Sequence, residues 1–397
     1  MALSYVFSKS LRSASTMFSS LLCRNRFRVQ GFAGAASHFD FQNQWFCTKR
    51  LTSSSDDFTV SYLVNSCRLS PEAAVVASHK VKFQSLVKPD SVLALFRQYE
   101  FSDTQISTLV RRYPLILVAD VKNNLLPKLE FLCSIGISRL DLAKMLSHKP
   151  ILLTPSLENS IIPCYTFLKS VVLSDSKVVY IWKRNSWIFG ANLSKNVIPN
   201  IGLLKELGMP DSCIASLVTY HAEIVMRKPE AFSELVSEVK EIGFDLEKMF
   251  FVQALHAMYW KQTWKRSESA YRSWGWSHED ILCAFRVCPL CMTKSEKKIM
   301  GTMDFLVNKM GWQSQTIAKI PYVFMYSLEK RIIPRCSVVR ALLLKGLIEE
   351  KKLSLTAVFM KPENYFLNKF VTCYLDQVPQ LLDVYHGKVD AQDVSGV

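Results

Sequence analysis

Lysine and arginine side chains recur at two places in a repeated pattern that proline marks. Residues of the first set come just before the opening residue of a repeat, and those of the second set about eight to ten residues after it. Equivalent positions of stacked repeats fall on one edge, so we expect two rows of positive charge that contact phosphate groups. The first set is Arg112, Lys149, Lys183 with Arg184, Arg227 with Lys228, Arg286 and Lys319, and the second is Lys122, Lys195, Lys297 with Lys298, and Lys330 with Arg331. Of the paired residues, we expect Arg184, Lys228, Lys298 and Arg331 to make the contacts. For the first set, solvated charges that the helix macrodipole favours at helix C-termini are the alternative.

Aromatic residues are mixed with basic residues in one stretch of the chain. Trp260, Trp264, Tyr271 and Trp274 alternate with lysines and arginines there. Such mixing is typical of surfaces that stack unpaired bases. The four aromatic positions share one helical face, however, and this favours burial in a core.

A short cysteine motif is the only candidate metal site in the sequence. Cys288 and Cys291, with Cys283 and His278 upstream, offer the ligand types of zinc, but no second pair of cysteines accompanies them. Cys291 aligns with apolar Leu117 and Leu153 of other repeats, which favours a core position. There is also no glycine-rich phosphate loop, paired carboxylates or nucleophile motif. We therefore expect no metal, no cofactor and no enzymatic activity.

The elements that position these residues follow from the proline spacing. Pro114 and Pro127, Pro150 and Pro163, and Pro321 and Pro334 are each 13 residues apart, and the openings at 114, 150 and 186 are separated by 36 residues. A fixed period of this size is typical of a solenoid. Each unit is predicted to contain two helices and a proline-led turn, with the second proline in the first turn of a helix that ends at glycine. Openings are predicted near 71, 114, 150, 186, 229, 259, 289, 321 and 362.

Both ends of the chain differ in composition from the repeats. Residues 1–39 contain arginine but no Asp or Glu, which predicts an organelle transit peptide at 1–50, followed by a linker at 51–57. The repeat domain is predicted at 58–385 and a polar tail at 386–397. We expect import into the mitochondrion, with the chloroplast as the alternative. The formal charge of +15 includes +6 from residues 1–50, so about +9 remains on the mature chain, which suits a polyanionic partner.

Four stretches resemble a known family. They are Arg111–Pro114, Leu125–Leu132, Gly275–Ile281 and Tyr326–Arg335. The chain resembles the mitochondrial transcription termination factor (mTERF) family, in particular its land-plant branch, from about residue 58 to 385. The resemblance implies an all-α superhelix with a basic concave groove that accommodates duplex DNA. It also implies roles in organellar transcription, its termination, or RNA processing.

These observations together predict an all-α, right-curving helical-repeat solenoid of about eight or nine mTERF-type repeats. We expect a monomeric, organelle-targeted regulator that binds double-stranded DNA. RNA is the alternative ligand, and organellar transcription or splicing proteins are the expected partners. An α-solenoid that serves as a protein-interaction scaffold, or an RNA-binding splicing factor, is the competing interpretation. No run of 18 or more uncharged apolar residues occurs, so a membrane span is not expected.

Overall fold

The computed structural model describes residues 54–185, 188 and 193–396, and the described residues contain helices and turns but no β-strand. The predicted transit peptide 1–50 lies outside them. So does the predicted opening at position 186, where Ser186 takes the place of proline. The α-helices are α1 (Ser54–Asn65), α2 (Pro71–Ser78), α3 (Val87–Gln98), α4 (Asp103–Arg112), α5 (Leu126–Ser134), α6 (Arg139–His148), α7 (Ile162–Val172), α8 (Asp175–Arg184), α9 (Ile198–Glu206), α10 (Asp211–Val225), α11 (Pro229–Glu241), α12 (Met249–Tyr259), α13 (Lys261–Arg272), α14 (His278–Val287), α15 (Glu296–Met303), α16 (Ser314–Ala318), α17 (Ile333–Leu344), α18 (Leu355–Phe359), α19 (Glu363–Phe370) and α20 (Leu381–Tyr385).

The chain divides into two compact units. The first contains the described residues up to Pro199 together with Val218–Met226, and the second contains Asn200–Leu217 and the residues from Arg227 onward. Helical repeats occur in both units, and each has its own buried apolar residues. The predicted all-α helical-repeat fold is therefore confirmed.

Each regular repeat begins with a helix that a capping residue starts and a proline ends. Ser102 and Gln105 form a capping box at the start of α4, and Ser277 and Asp280 form one at the start of α14. The opening proline then starts a short 3-10 helix, as in Pro114–Val118, of which Pro114, Ile116 and Leu117 are buried. Because proline has no N–H and disfavours the α conformation in the residue before it, the first helix must end there.

The second proline of each repeat lies deeper in its helix than the sequence predicts. A π-helical turn, Val121–Leu125, precedes Pro127, and Asp120 Oδ1 accepts a hydrogen bond from the Asn123 amide (2.9 Å) at its start. The same kind of turn precedes Pro163, Pro199 and Pro334. In the repeat that opens at Pro289, which has no second proline, the helix starts as an ordinary α-helix and its π-helical stretch comes later, at Asp304–Lys309. The wider π turn gives the proline ring room where a carbonyl of an α-helix would clash with it.

The predicted opening at Pro229 is wrong. α10 bends at His221, whose φ of −140° and ψ of 43° are close to the values of Tyr113 and Lys149, the residues before two opening prolines. The repeat therefore opens at Ala222, which is 36 residues after position 186. Pro229 is instead the first residue of the second helix, α11. The bend occurs without proline, so the proline pattern alone could not reveal it.

Buried donors join successive repeats. In the first unit the Lys128 ammonium donates to the Leu153 carbonyl oxygen (2.7 Å), which belongs to the next 3-10 helix. In the second unit Ser267 Oγ donates to the Met292 carbonyl oxygen (3.0 Å) in the same way. Arg335 Nη1 donates to the Val358 carbonyl oxygen (2.7 Å). In these three places a side chain of the preceding repeat satisfies a backbone carbonyl.

Residues with positive φ end the second helices, as predicted. Gly136 and Gly208 have φ values of 99° and 86°. The repeat of α7 has Leu173 at this place, with φ 55°, and its side chain is 84% exposed. An L-residue in this region is strained, and an exposed leucine gains little from packing.

Leu173→Gly is therefore expected to raise the free energy of unfolding by about 1 kcal/mol, since glycine adopts this conformation without strain. Leu140→Gly is the control, because Leu140 is also exposed but lies inside the helix α6. There glycine is expected to cost about 1 kcal/mol. Chemical denaturation measures both, and changes of the same sign would contradict the prediction.

The described ends of the chain belong to the fold. α1 begins at Ser54, inside the segment predicted as a linker. Within the predicted polar tail, Ala391 and Val394 are buried and Asp393–Gly396 form a short 3-10 helix.

Candidate nucleic-acid interface

The first basic set lies mainly at the ends of first helices. Arg112, Arg184 and Arg286 are exposed in the last turns of α4, α8 and α14. Lys149 and Lys319 follow α6 and α16 as their C-terminal caps. These are the positions that the macrodipole favours for cations, so their location alone does not require a ligand.

Two arginines of this set also donate hydrogen bonds to carbonyl oxygens at the ends of neighbouring helices. Arg112 Nη1 donates to the His148 carbonyl oxygen (2.7 Å), which places Arg112 beside Lys149. Arg286 Nε donates to the Ile242 carbonyl oxygen (3.1 Å), and its Nη1 lies 3.3 Å from Glu279 Oε1. Arg184 Nη1 donates to the Tyr180 hydroxyl (3.3 Å). Each guanidinium has five N–H groups, so donors remain for a phosphate.

Lys228 occupies a different place from the rest of its set. It is exposed at the N-cap of α11, because the repeat opens at Ala222 rather than at Pro229. Lys228 therefore belongs with the second set, at the start of a second helix.

The second basic set divides into outward and inward side chains. Lys122 and Lys195 are exposed in π-helical turns. The Lys298 ammonium instead donates to the Tyr326 carbonyl oxygen. Arg331 donates through Nε and Nη2 to the Phe359 carbonyl oxygen (3.1 and 2.8 Å) and lies over the Tyr326 ring. Burial lowers the pKa of Lys298, and burial together with the nearby charge of Arg335 lowers that of Arg331. Both side chains join repeats, as Lys128 does.

The neighbours of these two residues are the exposed ones. Lys297 and Lys330 are exposed in the first turns of their second helices. Lys88 and Lys261 are exposed at the starts of α3 and α13. The exposed lysines at the starts of second helices form what we call the lysine row: Lys88, Lys122, Lys195, Lys228, Lys261, Lys297 and Lys330. The available sequence signal was Asp or Ser six residues after the opening proline, as at Asp120, Ser295 and Ser327, with lysine two or three residues later.

Contacts within each unit bring three pairs of neighbouring members of the row towards one another. In the first unit, hydrogen bonds from Asn123 and, more weakly, the charge of Lys88 lower the pKa of Asp120, which caps the turn that carries Lys122. In the second unit the bond from Lys298 to Tyr326 joins the turn of Lys297 to that of Lys330. The Arg227 guanidinium lies 5.5 Å from the centre of the Tyr259 ring, which brings the turn of Lys228 towards Lys261.

A known protein family matches most of the chain. A model of the family described as mTERF matches residues 93–261 and 251–367. The chain belongs to the mTERF family. No curated protein matches the chain. The mTERF family consists of helical-repeat proteins that bind nucleic acid and regulate organellar gene expression, and its members are not typically enzymes. None of the helices in the described part of this mTERF chain is long and apolar enough to cross a membrane.

The helix macrodipole does not explain the lysine row of this mTERF protein. A cation in the first turn of a helix faces the positive end of the dipole, at a cost of about 0.3–1 kcal/mol. Acidic residues also occur in some of these turns, such as Glu296 and Glu329, and the dipole favours them. The turn that begins at Leu157 carries Glu158 and no lysine. The macrodipole therefore gives the repeated lysines no helix-stabilising role.

The aromatic residues of this stretch of the mTERF chain differ in burial. Trp264 and Tyr271 are buried, as predicted, and the Tyr271 ring stacks on Trp276 with centroids 4.4 Å apart. Trp274 is half-buried, and its Nε1 donates to Met300 Sδ (3.2 Å). Trp260 is 48% exposed and does not share their core.

The cysteine motif lies in the core. The side chains of Cys291, Leu117 and Leu153 are all at most 2% exposed. The predicted equivalence of the three positions is therefore confirmed. Burial raises the pKa of the Cys291 and Cys288 thiols. Cys283 is exposed, and the described residues do not bring it together with His278, Cys288 and Cys291 as a ligand set.

Proposed function

We propose that this mTERF protein binds double-stranded DNA in the mitochondrion and regulates transcription there, including its termination. The observation that carries the proposal is the lysine row, which repeats an exposed cation at a position where the helix dipole opposes it. Nucleic acid is the partner that offers a repeated anionic charge, and family membership favours it.

The row is suited to phosphates rather than to bases. Lysine is a flexible point charge with three donors, and it binds phosphate without reading sequence. The amides at the start of each second helix add a partial positive charge towards the same anion. Arg112, Lys149, Arg184, Arg286 and Lys319 supply further cations at the ends of first helices. In this proposal the guanidinium groups of the three arginines contact base edges in a groove. In this proposal Lys298 and Arg331 hold repeats together and do not contact DNA.

We base the proposed mitochondrial location on the composition of residues 1–39, which contain no Asp or Glu but include Arg12, Arg24, Arg26 and Arg28. Arginine-rich segments without acids are typical of organelle transit peptides. Removal of residues 1–50 leaves a basic mature chain.

Titration of duplex binding against salt tests the proposal. If each lysine of the row binds one phosphate, the slope of log affinity against log salt concentration is about −6, from about −0.9 per contact. A protein-interaction scaffold predicts weak binding that does not saturate. A slope near zero for saturable binding would contradict contact through phosphates.

A further inference from the structure

One repeat of the second unit joins its two helices in an unusual way. α12 ends at Tyr259 and α13 begins at Lys261, so that Trp260 alone separates them. The regular repeats have a proline and a 3-10 helix at this place. The usual buried turn is therefore replaced by a single tryptophan at the tip of the helix pair.

Stability does not account for tryptophan at this position. Trp260 is the N-cap of α13, and its carbonyl oxygen accepts the Trp264 amide (3.0 Å), but its side chain makes no capping hydrogen bond. Ser, Asp or Asn at an N-cap is worth about 1 kcal/mol more than a residue that cannot cap. In addition, 48% of the large apolar side chain is exposed to water. The missing cap lowers stability compared with serine, and the exposed part of the ring gains no free energy from burial.

The surroundings of Trp260 are aromatic and cationic. Its ring meets the edge of Tyr259, with centroids 5.0 Å apart and an interplanar angle of 88°. Arg227 lies over Tyr259, and Lys228 and Lys261 of the lysine row are exposed beside this tip. Burial raises the pKa of the nearby Glu238 carboxyl, although the charges of Lys261 and Arg227 lower it. An exposed indole beside phosphate-binding cations is the arrangement on which unpaired bases stack.

We infer that Trp260 stacks on an unpaired nucleobase, so that the protein binds single-stranded nucleic acid at this tip in addition to duplex. The inference rests on the proposed function, because Lys228 and Lys261 would hold the flanking phosphates. The base is recognised by its π face, which every nucleotide offers, so single-stranded RNA and single-stranded DNA share this chemistry. A flat aromatic face with adjacent cations fits a base better than an acidic peptide, which has no planar group to stack.

Trp260→Ser tests the inference without threatening the fold, since serine is a preferred N-cap. We expect its affinity for short single-stranded oligonucleotides to fall by about tenfold, the loss that one aromatic–base stack produces, and its affinity for duplex to remain unchanged. Trp260→Phe should keep most of the affinity. Fluorescence anisotropy measures the affinities of wild type and both variants for labelled single-stranded RNA, single-stranded DNA and duplex. The type of single strand for which Trp260→Ser loses more affinity identifies the source of the base.

The matched control is Phe250→Ser, which removes an aromatic ring of 40% exposure at the other end of α12. It should leave binding of single strands unchanged. Equal losses for Trp260→Ser and Phe250→Ser, or an equal loss for duplex and single strands, would overturn the stacking role. Binding of duplex but not of single strands would overturn this inference and leave the proposed function standing. Binding of neither would overturn both, and unaltered binding by Trp260→Ser would point to a protein partner.

Discussion

Reversing the charge of Lys122, Lys195, Lys297 and Lys330 to glutamate is expected to lower the affinity for duplex DNA by about 100-fold or more near physiological salt. Each lost phosphate contact also removes about 0.9 from the salt slope, so the four substitutions should flatten it by about 3.6. The fold should survive, because glutamate in the first turn of a helix is favoured by the macrodipole. Titrations of wild type and variant against salt measure the affinity and the slope together.

The control for this variant changes the same charge at other exposed lysines. Lys80, Lys144, Lys177 and Lys351 are exposed, and none starts a second helix. Their replacement by glutamate alters the net charge equally but removes no proposed contact, so only a modest loss through the overall field is expected. If both sets lowered affinity and slope to the same extent, net charge would explain binding and the lysine row would not.

The sequence located the second basic set to within one residue but not the direction of its side chains. Lys298 and Arg331 were predicted to contact phosphate, whereas the structure turns them towards backbone carbonyls and exposes Lys297 and Lys330. Successive residues of a helix point about 100° apart, so a count that is wrong by one residue exchanges an outward side chain for an inward one. A π turn shifts this count at Arg331 but not at Lys298, and proline spacing alone does not show where such a turn lies.

The helical fold was predictable because local signals agreed with one another. Ser102 and Ser277 capped first helices, prolines ended them, and glycines such as Gly136 closed the second helices. The opening at Ala222 was not predictable in this way. The break there lies in the backbone angles of His221, which depend on packing around the bend rather than on a residue that forbids helix.

Arg335→Met is expected to lower the free energy of unfolding by about 3–5 kcal/mol, the largest effect that we expect from a single substitution in this protein. The Arg335 side chain is fully buried. Its Nη1 donates to the carbonyl oxygens of Val358 (2.7 Å) and Lys361 (2.9 Å), and its Nη2 lies 2.6 Å from Glu363 Oε2. Methionine fills much of the volume but leaves both carbonyls without this donor, and each buried unsatisfied group costs about 1–3 kcal/mol. Denaturant unfolding of the mature chain measures the change.

Arg340→Met, on the same helix α17, separates the lost hydrogen bonds from the lost charge. Arg340 is partly exposed, and the described residues give it no side-chain hydrogen bond or ion pair. Its replacement is expected to change stability by less than about 0.5 kcal/mol. Similar losses of unfolding free energy for both variants would mean that the Arg335 guanidinium does not join α17 to α18 and the residues after it. The inward cations Lys128, Lys298 and Arg331 would then lose their structural explanation too, because they satisfy neighbouring carbonyls by the same geometry.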